Sequence, residues 1–218
     1  AAFITILCHA FSQSGLPDLT FGDQGHAITN AGRSFNRALS LALLEDGRIL
    51  AAGSAQDLEN TDFGSDFAIV KYNADGTPDQ TFGTAGIVLT DLDNLSADVA
   101  MDVSVTNDGK ILVAGRTHAG SGFTDYCIAI VRYLANGTLD QTFGQAGKVL
   151  YPVASIDDYS YEVNMALQPD GKIVVTGSTM VSVNDNFITV RFTANGQVDP
   201  TFGSNGKVVT SFGELFSA

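Results

Sequence analysis

Short apolar runs recur along the chain, punctuated by glycine, aspartate and asparagine, and no segment sustains a helical period. Residues 100–106 (AMDVSVT) alternate Met101, Val103 and Val105 against smaller or polar neighbours, the pattern of a strand with two unlike faces. Asn107-Asp108-Gly109 follows, and Asp-Gly between two such runs predicts a hairpin, because both residues tolerate positive φ. Residues 110–115 (KILVAG) form the partner strand, 127–133 (CIAIVRY) a third and 148–151 a fourth. The same order recurs at 37–43, 48–53, 66–72 and 87–90, and again at 161–167, 172–177, 187–192 and 207–210. Each unit predicts a four-stranded antiparallel meander. The middle strands are apolar at nearly every position, so both faces need cover, as in small sheets stacked around an axis. The fold class expected is all-β: a partial β-propeller of three four-stranded antiparallel blades (about 31–90, 91–152 and 153–211) plus one leading strand at 25–30. A β-sandwich needs no repeat of this length, and the coil of a parallel β-helix is much shorter.

One stretch is written four times between third and fourth strands: GLPDLTFGDQG from Gly15, GTPDQTFGTAG from Gly76, GTLDQTFGQAG from Gly137 and GQVDPTFGSNG from Gly196. The starting glycines lie 61, 61 and 59 residues apart. Asp18, Asp79, Asp140 and Asp199 each stand two residues ahead of a threonine, where a carboxylate accepts local backbone N–H bonds and closes a loop. Phe21, Phe82, Phe143 and Phe202 are expected to plug the space between adjacent blades. The glycines after them (Gly22, Gly83, Gly144 and Gly203) permit a sharp reversal into the fourth strand. A rival reading gives each copy an Asp-based calcium site. Each copy fixes only one carboxylate, whereas calcium takes six to eight oxygen ligands, so no cofactor is expected.

The formal charge of −13 changes the list of partners. Such a chain repels phosphate backbones and anionic headgroups, so nucleic acid is not expected. The apolar run 1–10 is too short to span a bilayer, and Ala10-Phe11-Ser12 offers small residues where a signal peptidase reads. Residues 1–12 are therefore read as the remnant of a secretory signal, with no transmembrane segment in the mature chain. Cys127 is then the sole cysteine, in an apolar run, and is read as a core residue.

The elements G-x-x-D-x-T-F-G-x-x-G, D-G-K-I-x-V-x-G and (I/V)-x-(R/K)-(Y/F), covering residues 15–210, resemble the delta-60 repeat family of bacterial secreted and surface proteins. The resemblance implies a propeller displayed outside the cell, often within a larger protein carrying a sorting domain. It supplies no catalytic residues. Tyr151 departs from the threonine found at Thr29, Thr90 and Thr210.

Three units fall short of the four to eight blades of known propellers, so further blades of the same longer protein are expected as partners. The hairpin and signature loops hardly vary, whereas the loops between second and third strands and between units do. Constancy at one end and variation at the other points to a recognition module without catalysis, binding protein or glycan; the signal remnant and the resemblance imply that it is secreted or on the cell surface. The candidate ligand-face residues are Asp57, Asp62, His118, Asp125, Asp157, Asp158, Asn184 and Asp185. His118 is read as a solvated loop histidine, and Asp91, Asp93 and Asp98 form the densest acidic cluster, a weak metal candidate. The alternative function is part of a secreted hydrolase or lyase with its active site in missing blades or in the central channel, where Ser40, Asp102 and Asn164 occupy equivalent places. No nucleophile elbow, phosphate loop or zinc spacing accompanies it.

Overall fold

The computed structural model describes residues 15–31, 35–56, 64–92, 97–118, 126–153, 162–181 and 184–211. Twelve strands lie among the described residues. The first blade comprises β1 (Phe35–Leu43), β2 (Ile49–Gln56), β3 (Ser65–Tyr72) and β4 (Ile87–Thr90). The second comprises β5 (Val99–Val105), β6 (Ile111–His118), β7 (Tyr126–Tyr133) and β8 (Lys148–Pro152). The third comprises β9 (Asn164–Leu167), β10 (Ile173–Val181), β11 (Asn184–Phe192) and β12 (Lys207–Thr210). Each is a separate antiparallel sheet ordered first to fourth strand, as the hairpin signals require. The main shift is β9, which begins at Asn164. The second strands also run further than expected, to Gln56, His118 and Val181.

Blades stack through two apolar clusters. Leu50, Ala52, Phe67, Ile69 and Phe82 of the first blade meet Val103, Ile111, Val113, Val131 and Tyr133 of the second. Leu112, Ala114, Ile128, Ile130 and Phe143 of the second blade meet Met165, Ile173, Val175, Val190 and Phe192 of the third. This explains why β7 is buried along its whole length: it is covered on both sides. First strands lie against one another, β1 on β5 and β5 on β9, so they form the inner rim of the arc.

The two end faces differ. On the leading face of the first blade Leu41 and Leu43 are 69% and 71% exposed, where the equivalent Val103 of the second blade is buried. On the trailing face of the third blade, Thr176 and Thr189 stand where earlier blades carry Ala52 or Ala114 and Ile69 or Ile130. The Thr176 hydroxyl donates to the Ile188 carbonyl at 3.1 Å, so that face is partly polar, while Phe187 on the same face is 58% exposed.

The leading stretch builds no ladder of its own. Its pairing is confined to isolated bridges from Gly22 and Asp23 to His26, and no described third strand lies beside it. It is held to the first blade by the Tyr72 hydroxyl, which donates to Thr29 Oγ1 at 2.8 Å, and by Gly22 N–H, which donates to the Asp75 carbonyl at 2.7 Å.

Candidate functional site

The signature carboxylates are the most heavily engaged polar groups of the fold. Asp140 Oδ1 accepts from the Thr142 N–H at 3.0 Å and hydroxyl at 2.6 Å, the local closure its spacing predicts. Oδ2 faces two cations: Arg132 Nε at 2.9 Å and Lys110 Nζ at 3.3 Å. Arg132 Nη1 then donates to the Ala194 carbonyl of the third blade at 2.6 Å, and its guanidinium lies 4.5 Å from the centre of the Phe143 ring. Phe143 presses on Gly196, the turn glycine of the next blade, where an added Cβ would come within 2.9 Å of the ring. Gly144 N–H donates to the Asn195 carbonyl at 2.9 Å. One motif thus ties its own loop, its own second and third strands, and the neighbouring blade.

The first blade repeats this arrangement with Asp79, Thr81, Lys71 and Arg48, and Lys71 Nζ reaches the Ala135 carbonyl at 3.4 Å. The third blade repeats it with Asp199, Thr201, Arg191 and Lys172. Hydrogen bonds from the threonines, together with the neighbouring cations, hold Asp79 and Asp199 down at about 2 and lower Asp140 as well. The cations were the part that spacing alone did not reveal. Their signal is the basic residue ending each otherwise apolar third strand and the one following each hairpin Asp-Gly. Phe82 and Phe143 are fully buried plugs; Phe21 and Phe202, lacking a complete blade on one side, are partly exposed. Asp18 is exposed and accepts from the Thr20 N–H at 2.9 Å and hydroxyl at 2.6 Å.

The inner rim carries a second carboxylate with a positional role. Asp102 Oδ1 accepts from Ser40 Oγ at 3.2 Å and its neighbour's Val103 N–H at 2.8 Å, while Oδ2 accepts from Met165 N–H at 2.7 Å. One side chain therefore links all three blades. Asn164, its equivalent in the third blade, is exposed.

His118 corrects the expectation of a solvated loop residue. It ends β6, is 9% exposed, and its ring lies 4.2 Å from that of Tyr126, because β6 and β7 pair out to that point. Asn184 and Asp185 open β11 and pair with Val181 and Met180, so they too belong to a ladder and not to a loop. Asp57, Asp62, Asp125, Asp157 and Asp158 lie outside the described residues, as does Asp93. Asp98 is fully buried: its carboxylate accepts from Leu92 N–H at 2.7 Å and from the Thr117 hydroxyl, and its backbone carbonyl accepts from Ser65 Oγ of the first blade at 2.9 Å, so it joins the first and second blades. Asp91 is exposed and offers its backbone carbonyl to Lys148 Nζ at 2.7 Å. Among the described residues no three His, Cys, Asp or Glu side chains assemble as metal ligands. Cys127 is a buried free thiol. Among the described residues no helix is long and apolar enough to cross a membrane.

A cleft of about 560 Å³ opens at the hairpin end between the second and third blades. Its walls are the turns 106–110 and 168–171; Leu112 and Arg132 line its depth, and Asn195 lines it from the turn after β11. That volume falls within the roughly 300–1,000 Å³ of small-ligand sites. It lies at the constant end of the blades, opposite the loops whose variation suggested binding.

Three four-stranded sheets in series, clamped through a shared loop motif, define a β-propeller repeat protein. The family model described as "Domain of unknown function (DUF5122) beta-propeller" matches residues 44–82, 106–143 and 168–202, together just over half of the chain, and the chain belongs to that family. Each match runs from the hairpin turn to the signature phenylalanine, the part of the blade that the carboxylate clamp ties together. No curated protein matches the chain.

Proposed function

We propose that this chain is part of a secreted or cell-surface β-propeller, of the delta-60 type its motifs resemble, acting as a non-catalytic recognition scaffold. It binds protein or glycan through the loops between second and third strands and between units. The observation that supports this reading most is the threefold clamp. Asp79, Asp140 and Asp199 make the same contacts in each blade and fix one end of every sheet. A scaffold held at one end tolerates loop change at the other, which is the usual basis for a binding surface. Asp102, the carboxylate a channel enzyme would use, spends its oxygens on Ser40, Val103 and Met165, which favours the scaffold over the hydrolase or lyase reading.

Further blades fit either end face: Leu41 and Leu43 meet solvent on the leading face, and Phe187 and Val208 on the trailing one. The test replaces loops 57–63, 119–125 and 154–161 together by glycine–serine linkers of equal length. The variant is expected to melt close to the parent and to lose retention on glycan and protein arrays. Retention equal to the parent's, or turnover of a glycoside by the parent, would refute the proposal.

A further inference from the structure

The repeat departs from its pattern in two places on the walls of the cleft between the second and third blades. In the first blade the position after β1 is Leu44, which packs against the cluster between the first and second blades. Its equivalent in the second blade is Thr106, whose shorter side chain turns away to Asp108 and to the Lys110 carbonyl at 3.1 Å. The space that leucine would occupy is left open at the cleft wall. The equivalent in the third blade is Gln168, which lines the opposite wall and whose Oε1 is buried without a hydrogen-bond partner.

The charges of the cleft cancel. Lys110 Nζ is shared between Asp108 and Asp140, and Arg132 is committed to Asp140 and the Ala194 carbonyl, so neither cation is left over for an anion. Asp108 is bonded by Thr106 and Lys110, so it is not an open cation ligand. Val105, Leu167 and Pro169 supply apolar wall, Asn107, Asn195 and Gln168 supply amides, and no aromatic side chain lines the space. A hydroxyl both donates and accepts, and so satisfies an amide in either orientation.

We propose that this cleft binds a neutral, polyhydroxylated ring, a saccharide of one or two units, with ring hydroxyls on Gln168, Asn107 and Asn195 and an apolar ring face on Leu167 and Pro169. The site is separate from the variable loops proposed above and lies at the other end of the blades.

The experiment is saturation-transfer NMR with maltose, cellobiose and N-acetyl-D-glucosamine on the full chain, followed by titration of whichever saturates. At least one of the three is expected to bind, and inorganic phosphate is expected not to compete. Thr106→Leu puts into the second blade the residue the first blade already uses, so it is expected to melt no lower than the parent while weakening binding at least tenfold. Gln168→Leu is expected to weaken it similarly and serves if Thr106→Leu fails to fold. Binding of none of the three sugars, or undiminished binding in the folded leucine variants, would overturn the cleft. Undiminished binding in the leucine variants with loss in the glycine–serine loop variant would sink the cleft and leave the loop-face reading standing.

Discussion

Phe143 and Phe21 hold the same place in two copies of one motif, yet Phe143 is fully buried and Phe21 is partly exposed. Around Phe143 the aspartate has two cations and a threonine, the ring has a guanidinium over one face, and the next blade supplies a glycine to press on. Around Phe21 the next-blade contact is present, through Gly76 and the Asp75 carbonyl, but Asp18 is exposed and accepts from Thr20. The difference shows that the motif is not a self-contained fold element. Part of its stabilisation comes from its own blade, through the basic residue after the hairpin turn and the one near the end of the third strand. Another part comes from the blade that follows.

The largest break in this comparison comes from removing the ring itself. Phe143→Ala is expected to destabilise by about 3–5 kcal/mol, the usual cost of truncating a buried phenylalanine. Phe202→Ala, on a ring already partly in solvent with no described blade beyond it, is expected to cost roughly a third as much. Equilibrium denaturation in urea compares the two, and equal losses would contradict an interblade role for Phe143.

Next in size is the carboxylate. Asp140→Asn keeps the shape and the threonine contacts but leaves Arg132 buried without its anion, at a cost of about 3 kcal/mol, the low end for breaking a buried pair. Asp18→Asn strands no cation among the described residues and is expected to leave the urea midpoint unchanged. Acid titration probes the same groups together. Asp79 and Asp199 sit at about 2 in the folded chain against 3.8 for an ordinary aspartate, and Asp140 is also lowered. A depressed carboxylate stabilises the fold above its unfolded value and loses that contribution as pH falls through its folded value. Stability is therefore expected to be flat from pH 7 to about 5 and to fall between about 4 and 2, with Asp140→Asn showing a shallower fall. A melting temperature that drops first between pH 7 and 5 would point away from these clamps.

The turn glycines sharpen the comparison further. Gly137 and Gly109 both adopt positive φ, +89° and +79°. A Cβ on Gly137 would meet Val88 Cγ2 at 2.7 Å and the Phe82 ring at 3.0 Å, whereas Gly109 has nothing within 4 Å. Both alanine variants carry the left-handed backbone cost of about 1–2 kcal/mol. The excess for Gly137→Ala, expected to be about 1–3 kcal/mol as for overpacking, isolates the contact between blades.

The blades themselves were legible because each depends on local chemistry: Asp-Gly turns, alternating faces and doubly apolar middle strands. The clamps were half legible. Asp and Thr two residues apart announce a closed loop, but Lys71, Arg132 and Arg191 end apolar strands as lone cations, and only folding brings them to a carboxylate eight residues further on. His118 was misplaced because a glycine-rich continuation reads as loop, while its burial depends on Tyr126 pairing opposite. The cleft left no local mark. Thr106 is an ordinary turn residue, and its meaning appears only when Leu44 is seen filling the same place one blade earlier.

The smallest expected effect tests the departure at Tyr151. Tyr133, buried, donates to Thr90 Oγ1 at 2.7 Å across the first interface, and Tyr72 donates likewise to Thr29. In the second interface the third-strand residue is Phe192, and Tyr151 meets it edge to face at 5.8 Å. The hydroxyl has been lost on one side of the pair and a ring gained on the other, so the interface exchanges a hydrogen bond for aromatic contact. Tyr133→Phe alone strands the buried Thr90 hydroxyl and is expected to cost about 1 kcal/mol; Tyr72→Phe, half in solvent, is expected to cost less. Adding Thr90→Tyr to Tyr133→Phe rebuilds the pairing of the second interface. The two changes are therefore expected to be less damaging together than the sum of the singles, with a coupling of at least about 0.5 kcal/mol in a double-mutant cycle. Strict additivity would mean that the tyrosine at 151 and the phenylalanine at 192 are unrelated substitutions, and that the two interfaces are not alternative solutions to one packing problem.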